Sequence, residues 1–147
     1  MNTAANQTID PTGRRVLYTA RVHTTGGRDG GTSKSDDGHL EVRHTLPGSG
    51  TGTNPEQLFA AGWSACFEGA LMRAAQKAKV KLPTETAIDA EVDLMLGDDG
   101  YSLQARLNID LPGLPRDVAQ ALIEDAEHIC PYSKAVHGNV DAEFVLR

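Results

Sequence analysis

An α+β fold with helices packed on antiparallel sheet is predicted by three features of this sequence. Two segments alternate strictly between apolar and polar residues across a tight turn, and two others carry helical punctuation. The order strands, helix, hairpin, helix, strand lacks the regular βαβ succession of a doubly wound array. A length of 147 residues suits one domain with chain enough to bury a core.

Taken in chain order, a first hairpin is expected where "RRVLYTARVHT" (14–24) and "HLEVRHTL" (39–46) flank a Gly/Ser/Asp-rich connection. The glycine-rich "TTGGRDGG" (24–31) and "PGSGTG" (47–52) read as turns, since neither ends in the Gly-Lys-Ser/Thr of a phosphate loop. A helix follows, with Asn54 as N-cap, Pro55 at its first position and Gln57 where a capping-box partner sits. It is apolar nearly all round through Leu58–Ala75, which predicts burial on most sides, and Ala61, Gly62, Ala65, Gly69 and Ala70 are small enough to let another backbone approach.

Next, "AIDAEVDLML" (87–96) and "YSLQARLNIDL" (101–111) predict two half-buried strands joined antiparallel by "GDDG" (97–100). Leu103, Ala105, Leu107, Ile109 and Leu111 share one face of the second. A second helix begins near Pro115, aligns Ala119, Leu122, Ile123, Ala126 and Cys130, and stops before Pro131. "VDAEFVLR" (140–147) is the last strand.

Charge excludes one class of partner. A net charge of −6 with no block of Lys or Arg leaves no footprint for nucleic acid. The N-terminal "MNTAANQTIDPTGRR" has no apolar core of a signal peptide, and Ser64, Glu68 and Arg73 interrupt the most apolar run before it reaches membrane-spanning length. No membrane association is expected and the chain reads as cytoplasmic, where two cysteines are free thiols or a redox pair rather than a structural staple.

The chemistry rests on those cysteines. There is no C-x-x-C or H-x-x-x-H, and His23, His39, His44, His128 and His137 are scattered, so a metal site is not expected. His128 lies two residues from Cys130 and points to a different helix face, which argues against a Cys-His hydrolase. A thiol in an apolar helix is inert unless a cation or a helix N-terminus stabilises its thiolate. Cys66 lies about 18 Å up an ideal helix from Asn54, too far for that helix's own N-terminus to help.

"TGGRDG" (25–30), "TNPEQLFAAGWSACFEGAL" (53–71) and "ICPYS" (129–133) resemble the signature stretches of the organic hydroperoxide resistance branch of the OsmC/Ohr family. The resemblance runs from about Val16 to the end, so residues 1–15 read as an additional polar tail and 16–147 as a single domain. It implies antiparallel sheets packed around two central helices in an intertwined homodimer, with active sites at the subunit interface. The implied activity is metal-free, cysteine-based reduction of organic hydroperoxides to alcohols, without a bound cofactor. Cys66 matches the peroxidatic cysteine, Cys130 the resolving one, Arg28 the catalytic arginine and Glu56 its carboxylate partner. The implied reductant is an external dithiol, a lipoylated protein.

Arg28 would supply the missing cation, lowering the thiol pKa and binding peroxide oxygens as charge develops, with Glu56 holding its guanidinium. Cys130 is the other thiol able to capture a sulfenic acid on Cys66 as a disulfide. Glu56 and Cys66 are about 15 Å apart on a continuous helix, so either the helix breaks near Gly62 or two subunits furnish one site. Leu58, Phe59, Trp63, Phe67 and Tyr132 are candidate walls of an apolar substrate pocket. "SKAVHGNV" (133–140) departs from the usual Ser-Asn-Ala-Thr-Arg-Gly-Asn at Lys134, Val136 and His137, and Trp63 stands where tyrosine is common. An apolar-ligand binder with inert thiols is the competing reading.

Overall fold

Alternation places the longest strands where the sequence predicts them. In the computed structural model, which describes residues 9–147, β4 (Ala87–Gly97) and β5 (Gly100–Asp110) form an antiparallel hairpin whose last pair is Gly97 with Gly100. Of the expected tail 1–15, residues 1–8 lie outside the described residues. The chain divides into two units, one ending at Asn54 and the other running from Pro55 to Arg147.

In the unit ending at Asn54, β1 (Val22–Thr25), β2 (Thr32–Ser35) and β3 (Glu41–Arg43) form an antiparallel sheet in that order. The single hairpin expected here is two short ones. Strand β2 lies inside the connection and reads Thr-Ser-Lys-Ser, with no apolar alternation to betray it, while residues 16–21 are not strand.

The unit from Pro55 onward holds the apolar core. Helix α1 (Pro55–Ala78) starts at the predicted proline and runs unbroken for 24 residues. Trp63, Phe67, Ala70, Leu71, Ala74 and Ala75 are its buried residues. It packs against β4 and against α2 (Arg116–Ile129), which buries Ala119, Leu122, Ile123 and Ala126 as predicted. From β5, Ala105, Leu107 and Ile109 join this core, as does Leu111 beyond its end. A fully buried Leu, Ile or Phe stabilises such a core by about 1.5–3 kcal/mol.

Two features depart from expectation. Strand β6 (Asp141–Leu146) pairs with β5 in parallel, so the β4-β5-β6 sheet is mixed. A parallel pair needs a long crossover, and α2 together with an unpredicted short helix, α3 (Pro131–Val136), supplies it. Leu94 and Leu96, which alternation puts on the same face of β4 as Ile88, Ala90 and Val92, are 46% and 71% exposed near the hairpin tip.

Candidate active site

Helix α1 carries Phe59, Gly62 and Cys66 at intervals of three and four, hence along one stripe, with Trp63 beside it. Its continuity removes the break near Gly62 as an explanation for how Glu56 and Cys66 serve one group. Opposite this stripe, Cys130 sits between two helices. It is the C-cap of α2, its N–H bonded to Ala126 O at 2.8 Å, and also the N-cap of α3, its carbonyl accepting from Lys134 N–H at 3.0 Å. Pro131 therefore ends α2 and also begins α3, because the first helical position needs no N–H donor.

This junction fixes the thiols. Both cysteines are free, Cys130 fully buried and Cys66 half-buried, and the Cys130 thiol donates to Cys66 Sγ at 3.4 Å. Burial pushes the Cys66 thiol above its ordinary pKa, a backbone hydrogen bond from Tyr132 opposes that shift, and the bond and charge of Cys130 reinforce it. The two sulfurs are thus in contact, while these surroundings favour the thiol form of Cys66.

Aromatic rings pack on one another along α1 and at Tyr132, two residues after Cys130. Phe59 meets Trp63 edge to face at 5.5 Å and Tyr132 at 6.3 Å. A Cβ at Gly62 would stand 2.9 Å from the Tyr132 hydroxyl, so the missing side chain makes room for that ring. Phe67 and Trp63 belong to the core, Phe67 stacking on Phe144 at 5.0 Å. Leu58 is half-buried. The Trp63 indole N–H donates to Ser133 Oγ at 2.9 Å, a fully internal bond between α1 and α3. Of the five predicted wall residues, Trp63 lines a cavity of about 550 Å³ with Ser133, Val136, Val140, Ala142 and Phe144. Lys134 and His137, which depart from the expected pattern, stand on its border. The roles of Ser133 and Phe144 depend on partners distant in sequence, with no local signal.

Glu56 lies in the first turn of α1, where a carboxylate complements the helix dipole. Arg28 belongs to the other unit, on the exposed loop between β1 and β2. Gly26, Gly27 and Gly30 hold positive φ angles of 76°, 67° and 86° around it. At Gly31 a side chain would collide with the carbonyls of Gly27 and Thr25. His128 is exposed, with Nδ1 on Glu124 O at 2.8 Å. Among the described residues, no group of three His, Cys, Asp or Glu is placed to hold a metal.

Fold and site together define an α+β protein with a close pair of thiols, one of them fully buried. The sequence profile described as OsmC-like protein matches residues 48–145. An organic hydroperoxide resistance protein of Xanthomonas axonopodis pv. citri is 43% identical over 136 residues, covering 90% of this chain and 96% of that protein. The crystal structure of the organic hydroperoxide resistance protein OhrB of Bacillus subtilis superposes with a TM-score of 0.84 at 40% identity, over 90% of this chain and all of that one. One from Legionella pneumophila gives 0.83 at 38%, over 89% and 98%. The chain belongs to the OsmC-like family, in its organic hydroperoxide resistance branch.

Proposed function

We propose that this protein reduces organic hydroperoxides to alcohols through its two cysteines. The observation that carries the reading is the 3.4 Å approach of Cys66 and Cys130, 64 residues apart in sequence. A bonded S–S distance of about 2.0 Å requires only a small further closure. The Cys66 thiolate attacks the terminal peroxide oxygen, the O–O bond breaks, and the alkoxide leaves with a proton as alcohol. Cys66 is then a sulfenic acid; the Cys130 sulfur attacks the Cys66 sulfur, the S–O bond breaks, and the hydroxyl leaves with the Cys130 proton as water, forming the disulfide. A dithiol, for which we take protein-bound lipoamide, returns both thiols by exchange and becomes the cyclic disulfide.

Arg28 answers the difficulty that burial creates. A cation is needed to stabilise the Cys66 thiolate and the departing alkoxide, and Glu56 is assigned to orient it. The aromatic surroundings of Phe59, Trp63 and Tyr132 suit apolar hydroperoxides, whose buried tails gain about 0.8 kcal/mol per CH₂, against none for hydrogen peroxide. The working unit is a homodimer. Supporting this are the unbroken α1 and the exposed Leu17, Tyr18, Met72, Leu96 and Tyr101, which a second copy would cover. A monomer by light scattering with full activity contradicts it. The reaction is placed in the cytoplasm, and no described helix is long and apolar enough to cross a membrane.

The test is intact mass and free-thiol count after one equivalent of cumene hydroperoxide, beside an equal dose of hydrogen peroxide. Wild type should lose two thiols and about 2 Da, faster with the organic peroxide, and Cys66→Ser should not. Two unreactive thiols in folded, reduced protein would instead support an apolar-ligand binder.

A further inference from the structure

His44 is a residue that the proposed reaction leaves unused, and its surroundings are unusual. It is only 4% exposed, directly follows β3, and its side chain is the third member of a polar ladder across the sheet. His44 Nε2 and Ser33 Oγ are 2.7 Å apart, and Ser33 Oγ and Thr24 Oγ1 are also 2.7 Å apart. The other ring nitrogen, Nδ1, is buried with no hydrogen-bond partner among the described residues. An unsatisfied buried nitrogen is a net cost to the fold, whichever tautomer is present.

The backbone of His44 closes the loop that carries Arg28. Its carbonyl accepts from Gly30 N–H at 2.9 Å and its N–H donates to Gly31 O at 2.8 Å. Its imidazole reaches Ser33, just beyond the loop, and through Ser33 reaches Thr24, just before it. Both feet of the glycine-rich loop thus converge on one residue. An apolar side chain here would remove the orphaned nitrogen but leave the ladder without its third member.

We infer that His44 is a positioning residue for Arg28, holding the 25–31 loop in the form the peroxidase reaction uses. This rests on Arg28 having the role assigned to it above. The fold accepts an unsatisfied imidazole at this point because the ladder fixes the loop, a case of local stability exchanged for an ordered functional group.

The test compares full-length His44→Leu, His44→Gln, Ser33→Ala and Arg28→Ala proteins, and His44→Leu combined with Arg28→Ala. The measurements are thermal midpoint, kcat and KM for cumene hydroperoxide, and the pH profile of Cys66 alkylation in a Cys130→Ser background. His44→Leu should melt at or above the wild-type temperature yet lose about 10-fold or more in kcat/KM, as misplacement of a reacting group does. Its alkylation profile should move to higher pH, and His44→Gln, which keeps an amide at the Nε2 position, should recover most of the rate. Adding His44→Leu to Arg28→Ala should change little, because two residues acting through one interaction are not additive.

Full activity of His44→Leu, or an equal loss in the Arg28→Ala background, overturns the inference. Were His44→Leu unable to fold, Ser33→Ala and His44→Gln would carry the same comparison, and wild-type rates in Ser33→Ala would overturn it. Wild-type activity in Arg28→Ala overturns the assignment of Arg28 itself. A damaged Arg28→Ala beside an intact His44→Leu removes only the inference about His44.

Discussion

From Pro55 onward, Cys66 and Cys130 are set by apolar packing of α1 and α2 and by the α2–α3 junction. In the unit ending at Asn54, Arg28 is presented by a loop of glycines tied through hydrogen bonds to His44, the residue after β3. The first arrangement brings two sulfurs together but, by burial, raises the pKa of the thiol that the proposed reaction needs as thiolate. The second leaves an arginine exposed and charged, without a core to hold it. The reaction proposed above asks for a cation to stabilise the Cys66 thiolate, and in that proposal Arg28, presented by different means, supplies it.

The strongest way to break this contrast is to remove the nucleophile. Cys66→Ser should fold normally and lose on the order of 10³-fold or more in peroxide consumption, measured by ferrous-oxidation assay. Next comes the cation. Arg28→Ala should cost roughly 10²-fold in rate, and the Cys66 alkylation profile should move to higher pH, since less thiolate forms at a given pH once the positive charge is lost. Gly31→Ala should lower the rate in the same direction with the arginine still present, because its new methyl collides with the Gly27 and Thr25 carbonyls.

Smaller effects probe the packed unit alone. Ser133→Ala strips the acceptor from the buried Trp63 indole N–H, so unfolding by denaturant should show a loss of about 1–3 kcal/mol. The smallest effect concerns acid. Arg106, and after it Gln104, hold the Asp93 carboxyl at a pKa of about 2, below its ordinary value. A depressed folded-state pKa contributes stability above the unfolded value, so this contribution is lost as pH falls from about 4 toward 2. Melting curves of wild type and Asp93→Asn should differ slightly at pH 6 and converge at the acid end.

Particular residues show how legible the molecule was. The β4–β5 hairpin, the start of α1 at Pro55 and the buried face of α2 follow from periodicity and proline, because those signals act within a few residues. Strand β2 escapes a pattern reading because it is polar, and α3 because Pro131, before which α2 does stop, also occupies the first position of a further helix. The parallel pairing of β6 was equally hidden, since a strand's own pattern does not state its direction. At the site, both cysteines and the arginine loop stood out by motif, whereas His44 read as one of five scattered histidines.

Local chemistry alone therefore determined where the main helices and the long hairpin form and that the Arg28 segment turns. Only the tertiary structure decided that Cys130 reaches Cys66, that Tyr132 occupies the space Gly62 leaves, that Ser133 satisfies Trp63, and that His44 gathers the feet of the arginine loop. The physical reason is range. Propensity and periodicity act over one or two turns of chain, whereas hydrogen-bond satisfaction and packing are settled between segments dozens of residues apart.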